Sequence, residues 1–121
     1  MPNMIANLLT RNLLEVFGER DAVKRRFAIA VLWAEDGVFV DPFGRYVGYT
    51  ALNDAVSQLH AKFPGFTFAA IGAPQVFYDV GRLAWGHGPV GEPPKVTGLD
   101  VVTVRDGRIA ALYAFIDTPA T

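Results

Sequence analysis

The order of the predicted elements along the chain indicates an α+β fold. Apolar residues at helical spacing dominate the first half of the 121 residues, and runs typical of β-strands fill the second half. Because these strands follow one another instead of alternating with helices, we expect them to pair mostly antiparallel. No repeat, low-complexity tract or linker divides the sequence, so one domain is predicted over residues 1–121.

Three helices are predicted. The first covers residues 4–17, and the third begins at Thr50 and ends at Pro64-Gly65. Asp21 is a suitable N-cap for the second helix. We expect the apolar stripe of this helix to face the core, and it consists of Val23, Phe27, Ala30, Val31 and Ala34. The basic run at residues 24–26 is interpreted as a solvated face of the same helix.

Several segments have the composition of β-strands, namely residues 37–41, 66–71, 75–80, 82–87, 96–105 and 108–117. Asp106-Gly107 between the last two is a strong hairpin signal. A two-residue turn there would pair Asp100 with Tyr113, on a face that is otherwise apolar. The opposite face carries Val101 and Leu112, so we expect a homodimer through this outer face of the sheet.

Composition and charge exclude several classes of function. With 51% hydrophobic and 19% charged residues the chain is not expected to be disordered, and its net charge of −1 argues against binding to nucleic acid. No apolar run approaches the ~20 residues that span a bilayer, and no signal peptide is recognisable. We therefore expect a cytoplasmic protein without membrane contact.

Cofactors and metals are not predicted either. The chain has no cysteine and only two histidines, so a metal site would need many converging carboxylates. Residues 86–91 match a dinucleotide-binding pattern, but Glu92-Pro93-Pro94 follows at the point where a phosphate-binding helix would have to begin. This segment is interpreted as a hairpin loop.

Two carboxylates lie in unexpected places. Asp41 ends an apolar run before Pro42, where it could cap a turn through its own side chain or carry chemistry. Asp100 interrupts a segment suited to the interior of a sheet, and burial there would raise its pKa and keep it protonated as a hydrogen-bond donor. The alternative is that Asp100 lies at the open end of the strand, hydrated or paired with Arg82 or Lys95.

One histidine and several aromatic residues could form a ligand pocket. His87 and Trp85 share one face of their strand, although a histidine at a hairpin end is usually a surface residue and a tryptophan usually belongs to the core. An apolar pocket could be built from Phe17, Trp33, Phe63, Trp85 and Phe115.

Five segments together match a known superfamily: WAEDGVFVDPFG at 33–44, GYT at 48–50, FPGF at 63–66, GLDVV at 98–102 and DGRI at 106–109. The sequence resembles the nuclear-transport-factor-2-like superfamily, and within it the SnoaL-like proteins and ketosteroid isomerase. The resemblance implies a cone-shaped fold, in which three N-terminal helices pack on a curved, mostly antiparallel sheet that encloses an apolar pocket.

The resemblance also implies roles for individual residues. Asp41 would take the position of the isomerase's general base, and Asp100 that of its neutral, hydrogen-bond-donating acid. Phe17 stands where the isomerase has its catalytic tyrosine, so one hydrogen-bond donor is missing, and Tyr113 is a candidate replacement. Trp85 and His87 would face the cavity.

Two hypotheses of function follow. In the first, the protein is an enzyme acting on a small apolar carbonyl compound, as an isomerase or an aldol-type polyketide cyclase. Asp41 would abstract a proton, and Asp100 with Tyr113 or His87 would stabilise the enolate oxygen. In the second, the protein binds a small apolar ligand without turnover. The sequence does not identify the ligand.

Overall fold

The computed structural model describes residues 3–117 as helices packed against a six-stranded sheet. The α-helices are α1 (Met4–Arg11), α2 (Ala22–Leu32) and α3 (Tyr49–Lys62), and a π-helical segment (Asn12–Phe17) continues directly from α1. The strands are β1 (Trp33–Asp41), β2 (Gly44–Val47), β3 (Phe66–Phe77), β4 (Val80–Pro89), β5 (Val96–Arg105) and β6 (Arg108–Ile116). The predicted α+β fold, with helices on a curved sheet, is confirmed.

The sheet is mostly antiparallel. Its strand order is β2-β1-β6-β5-β4-β3, and only the pair β1–β6 is parallel. A bulge bends β3 between Ile71 and Gln75, where Gly72 has a φ of +76°, a conformation that glycine adopts without steric penalty. The strands predicted at 66–71 and 75–80 are therefore largely the two halves of one bent strand.

The hydrophobic core lies between the inner face of the sheet and the helices. Fully burying one such side chain stabilises a fold by ~1.5–3 kcal/mol. Every helix and most strands contribute, and the residues that are at most 2% exposed include Leu9, Leu13, Ile29, Leu32, Leu52, Leu83, Val102 and Leu112.

The β5–β6 hairpin departs from the predicted register. Its two-residue turn at Asp106-Gly107 forms as expected, but a bulge follows in β6. Because one extra residue reverses which side chains face inward, Asp100 lies opposite Ala114 and not opposite Tyr113. The predicted pairing of Asp100 with Tyr113 is wrong, and Leu112, predicted on the outer face, is fully buried in the core.

The buried face of α2 also differs from the prediction. Arg25, Ile29 and Leu32 face the core, so the basic run at 24–26 is not wholly solvated. Two sides of this helix could face the core, and the apolar pattern predicts the side that is in fact exposed. The buried side contains an arginine, which the pattern assigns to solvent. The predicted stripe lies mainly on the exposed side, with exposed fractions of 68%, 72% and 57% for Val23, Phe27 and Val31.

Arg25 is fully buried and is satisfied by neutral acceptors. Its Nε donates to Asn53 Oδ1 at 2.6 Å, and its Nη1 donates to the Glu19 carbonyl at 2.7 Å and contacts His60 Nδ1 at 3.3 Å. Its Nη2 donates to Ser57 Oγ. Within residues 3–117, no carboxylate forms a salt bridge with this guanidinium. The network joins α2 to α3 and compensates for the loss of hydration of a buried charge.

None of the helices in residues 3–117 has the length and hydropathy needed to cross a membrane. The cytoplasmic location expected from the sequence stays a prediction.

The buried arginine gives a stability prediction. We expect Arg25→Ala to lower the free energy of unfolding by about 3 kcal/mol, because it leaves buried acceptors without a donor and opens a cavity. Lys24→Ala, on the exposed side of the same turn, should cost about 0.5 kcal/mol or less. Urea unfolding of both variants measures the difference, and equal losses would contradict the role given to the Arg25 network.

Candidate functional site

A cavity of about 200 Å³ lies between the helices and the inner face of the sheet. Six of the residues predicted from the sequence line it, namely Phe17, Asp41, Phe63, Trp85, His87 and Asp100. The sequence reasoning missed eight further lining residues, which are Leu13, Phe39, Phe43, Leu59, Phe68, Val96, Ala114 and Ile116. Phe39 and Ala114 could have been found, because strand alternation places them on the same face as Asp41 and Asp100 once the register is known.

Three residues predicted at the pocket lie elsewhere. Trp33 is 1% exposed in the core and donates from Nε1 to Asn12 Oδ1 at 2.9 Å, so its indole faces the start of the π-helical segment. Tyr113 and Phe115 are on the outer face of β6, 44% and 58% exposed, because the bulge in that strand reverses their direction. Their placement at the pocket is therefore wrong.

The two candidate carboxyls lie on the inner face of the sheet, with one strand between them. Asp100 on β5 is paired with Ala114 on β6, and Asp41 on β1 follows Val40, whose partner on β6 is Tyr113. Asp41, Ala114 and Asp100 thus form a row across the sheet, with about 10 Å between the outer two backbones at ~4.8 Å per strand. Because the side chain of Ala114 is only a methyl group, space remains between the two carboxyls.

Asp100 is the buried end of this row. It is 4% exposed, and its Oδ1 accepts a hydrogen bond of 2.9 Å from Trp85 Nε1. Burial disfavours the charged form and raises the pKa of Asp100 to about 7, while donation from the indole opposes this shift. The expectation of a buried acid is confirmed, and the alternative of a hydrated residue paired with Arg82 or Lys95 is wrong.

Gly98 makes the contact between Trp85 and Asp100 sterically accessible. Trp85 pairs with Gly98 across β4 and β5, so Asp100 is its diagonal neighbour on the same face. A Cβ at position 98 would lie 2.2 Å from Trp85 Cζ2 and 2.4 Å from the Phe115 carbonyl oxygen. Only glycine therefore allows the indole to lie over β5 and reach the carboxyl.

Asp41 caps the turn that follows β1, which is one of the two roles that the sequence predicts for it. Its Oδ1 accepts hydrogen bonds of 2.9 Å from the backbone N–H groups of both Phe43 and Gly44. In the part of the chain that the structure describes, its Oδ2 makes no hydrogen bond to a protein donor. Since Asp41 also lines the cavity, one oxygen holds the turn and the other remains available to a ligand.

His87 lies in an aromatic part of the cavity wall. Its ring stacks on Phe68 with 4.1 Å between centroids, and the edges of Phe63 and Phe66 meet it at 5.5 and 5.0 Å. It is 5% exposed, and burial lowers the pKa of His87 to about 4, with smaller contributions from the neighbouring His60 and Arg20. The imidazole is therefore neutral at pH 7, with one donor and one acceptor nitrogen.

The π-helical segment forms one part of the helical wall of the cavity, and Leu59 of α3 belongs to the other part. The amide of Gly18 donates to the Leu13 carbonyl five residues back at 2.9 Å, and the wide turn presents both Leu13 and Phe17 to the cavity. His60 Nε2 lies 2.6 Å from the Phe17 carbonyl oxygen, so the segment is tied to α3 at its end. The helix predicted over 4–17 thus forms with its last part wound as a π-helix.

Comparison with known proteins identifies the family. Residues 10–112 match the model of the SnoaL-like domain. The chain belongs to the SnoaL-like family. A crystal structure of a SnoaL-like protein from Agrobacterium tumefaciens, described as a candidate isomerase, is 26% identical, with a TM-score of 0.88 over 95% of this chain and 98% of the other. No protein with a curated description matches the sequence.

Two more distant structures share the fold. A candidate ketosteroid isomerase from Kribbella flavida is 14% identical, with a TM-score of 0.72 over 98% of this chain and 81% of the other. A candidate SnoaL-like polyketide cyclase from Jannaschia is 13% identical, with a TM-score of 0.76 over 94% and 85%. At these identities the likeness concerns the fold alone.

The polar groups in this SnoaL-like cavity are few. Among the lining residues within 3–117, only Asp41, His87 and Asp100 have polar side chains other than the indole of Trp85, and none is a tyrosine. Phe17 lines the wall without a hydroxyl, and the hypothesis that Tyr113 replaces the missing donor is wrong. Within the same residues, no three His, Asp or Glu side chains cluster closely enough to bind a metal ion.

The cavity reverses the usual order in which a carboxyl and an imidazole release their protons. In water near pH 5.5 an aspartate is charged and a histidine is protonated. Here Asp100 keeps its proton up to about pH 7, and His87 takes one only near pH 4. Between these values both groups are uncharged, which is the lowest-energy arrangement for two polar groups taken out of water.

The two groups should have opposite effects on stability between pH 4.5 and 6.5. Folded Asp100 holds a proton that unfolded Asp100 releases, so its contribution to the free energy of unfolding falls as pH rises toward 7. Unfolded His87 takes up a proton that folded His87 does not bind, so its contribution falls as pH drops toward 4.

Single variants should separate these effects. Relative to the wild type, the free energy of unfolding of Asp100→Asn should increase with pH in this window, and that of His87→Gln should decrease. Each slope should approach about 1.4 kcal/mol per pH unit at most. Urea unfolding at several pH values measures both differences, and slopes of the same sign would contradict the protonation states assigned to the cavity.

Proposed function

We propose that the protein is an enzyme that moves a proton on a small apolar carbonyl compound. The observation that carries this proposal is the row Asp41, Ala114, Asp100 across the cavity, in which two carboxyls lie in different environments. One has an oxygen free to accept a proton, and the other is buried, with a pKa of about 7 that favours the protonated form below that pH. Proton abstraction next to a carbonyl needs both roles.

In the proposed mechanism, the carbonyl oxygen of the substrate accepts a hydrogen bond from Asp100. Asp41 Oδ2 takes a proton from the adjacent carbon, and the electron pair of that C–H bond forms the enolate, whose oxygen is stabilised by Asp100. Return of the proton from Asp41 to a different carbon completes an isomerisation. Attack of the enolate carbon on a second carbonyl of the same molecule, whose oxygen then receives the proton held by Asp41, completes an aldol-type cyclisation.

The size of the cavity limits the substrate. Pockets for drug-sized ligands enclose ~300–1,000 Å³, and this cavity of about 200 Å³ is smaller. A single-ring or short-chain compound therefore fits better than a fused polycyclic one. The description of the 26% identical Agrobacterium structure as a candidate isomerase supports an isomerisation.

A second candidate is a module that binds a small apolar ligand without turnover. It is favoured by the hydrogen bonds that Asp41 Oδ1 accepts from Phe43 and Gly44, since a residue that holds a turn need not be a base. The two candidates differ in one measurable respect, which is whether the protein exchanges protons on a bound carbonyl compound.

Exchange of α-protons for deuterium tests the enzyme. Wild-type protein in D₂O should accelerate deuterium uptake by at least one small ketone among phenylacetone, cyclopentanone and cyclohexanone, followed by NMR. Asp41→Asn should reduce the rate about 10²–10⁴-fold, because the amide cannot accept the proton while its Oδ1 can still hold the turn. Asp106→Asn, in the exposed β5–β6 turn, is the matched control.

Two results would contradict the proposal in different ways. Full exchange by Asp41→Asn would remove Asp41 as the base. No exchange above the buffer rate by the wild type across the three ketones would favour the binding module.

We also propose that the protein forms a homodimer through the outer face of the sheet. Val101 and Tyr113 pair on this face, and Leu99 and Phe115 pair beside them. Tyr113 and Phe115 are 44% and 58% exposed, so a continuous apolar surface faces solvent in the single chain. Surfaces of this kind usually mark an interface, and a two-fold contact between copies would cover it.

Light scattering after size-exclusion chromatography tests the dimer. The wild type should elute with twice the mass of one chain, and Val101→Lys should give the monomer mass because it introduces charges into the apolar face of both copies. Val23→Lys on the exposed side of α2 is the matched control and should leave the dimer intact. A monomeric wild type, or loss of the dimer only in the control, would refute this interface.

A further inference from the structure

No positively charged side chain lines the part of the cavity that residues 3–117 form. Among the lining residues within 3–117 there is no lysine or arginine, and the six residues outside that range have no basic side chain. Arg20, whose charge contributes to the low pKa of His87, lies outside this lining. Arg20 donates to the carbonyl oxygens of Phe63 and Phe66 at 3.2 and 2.7 Å, on the turn that follows α3.

The other usual anion partners are absent or occupied. Backbone N–H groups often hold anions, but those of Phe43 and Gly44 at the cavity edge already donate to Asp41. A protonated histidine would be a cation, but burial keeps the pKa of His87 at about 4, so its ring is neutral at physiological pH. An anion in the cavity would therefore meet the Asp41 carboxylate without a positively charged side chain among the lining residues to compensate for it.

We infer that the site selects uncharged carbonyl compounds and excludes those that carry a carboxylate or phosphate. The carbonyl part of this inference rests on the proposed function, whereas the exclusion of anions rests on the cavity itself. Ketones, aldehydes, lactones and esters satisfy the inference, and free acids and phosphate-bearing thioesters do not. The reaction that supplies the substrate must therefore leave any acid group masked, for example as an ester.

Asp41 is the residue that should set this selectivity. It is the one lining carboxyl in residues 3–117 apart from Asp100, which is 4% exposed and accepts a hydrogen bond from the indole of Trp85. An asparagine at position 41 retains the side-chain oxygen that accepts from Phe43 and Gly44, so Asp41→Asn removes the charge and preserves the turn.

An isosteric pair of probes tests the selectivity without turnover. Phenylacetamide and phenylacetate differ in charge and have nearly the same shape, and at pH 6 phenylacetate is ionised while Asp100 holds its proton. By calorimetry, phenylacetate should bind the wild type about tenfold more weakly or worse, and Asp41→Asn should reduce this difference. Equal or tighter binding of phenylacetate to the wild type would overturn the inference.

Quenching of Trp85 fluorescence decides the question if neither probe binds. Trp85 lines the cavity, whereas Trp33 is 1% exposed in the core, so Trp33→Phe leaves one reporter. If that variant does not fold, the difference between wild type and Trp85→Phe gives the same signal. Neutral acrylamide should quench Trp85 at least threefold more strongly than iodide, and Asp41→Asn should increase quenching by iodide only.

Iodide quenching equal to that by acrylamide would overturn the inference, and so would no quenching by either, because the cavity would then admit nothing. These results are independent of catalysis. A protein that fails to exchange α-protons but excludes phenylacetate and iodide would refute the proposed enzyme and retain the charge selectivity. A protein that exchanges α-protons but admits phenylacetate and iodide would refute the charge selectivity and retain the proposed enzyme.

Discussion

The hydrogen bond between Trp85 and Asp100 is the interaction on which the interior of this protein depends. A carboxyl at 4% exposure is costly when ionised, and the indole N–H offsets only part of that cost, so the pKa rises to about 7. The indole reaches the carboxyl because Gly98 has no side chain. Three residues on two adjacent strands thus produce a weak acid that is poised near neutral pH, and no charged side chain in residues 3–117 contributes to this shift of the pKa.

The rest of the fold keeps the surroundings of this acid dry and open. The bulge in β6 turns Ala114 inward between Asp100 and Asp41, where a larger side chain would fill the cavity. The π-helical segment supplies Leu13 and Phe17 as the opposite wall. That segment is anchored by contacts outside the cavity, where His60 joins the Phe17 carbonyl to the buried guanidinium of Arg25. Local irregularities therefore shape the site, and tertiary hydrogen bonds hold them in place.

Much of the fold could be predicted from the sequence, because helical spacing and strand-like runs depend on local patterns. The same patterns located Asp41, Asp100, Trp85 and His87 at the cavity once the family resemblance was added. Register could not be predicted, since a bulge leaves no mark in the sequence that differs from ordinary strand residues. One such bulge moved Tyr113 and Phe115 to the outer face.

The buried face of α2 was missed for a different reason. Apolar periodicity assumes that charged residues face water, and Arg25 breaks that assumption only because four neutral groups from other parts of the chain converge on it. Such convergence is a property of the tertiary structure and cannot be read from residues 22–32 alone.

The buried groups of Arg25, Asp100 and His87 avoid an uncompensated charge in two different ways. Arg25, outside the cavity, keeps its charge because each of its nitrogens has a hydrogen-bond acceptor. Asp100 and His87, inside the cavity, are less fully satisfied by the protein and are uncharged over several pH units instead. A buried group with unused hydrogen-bonding capacity lowers stability unless a ligand completes it. A fold selected only for stability would carry apolar residues at these two positions, as it does at the neighbouring Leu83 and Val102. Their unused hydrogen-bonding capacity is compatible with the proposed neutral ligand, whose polar group would complete it.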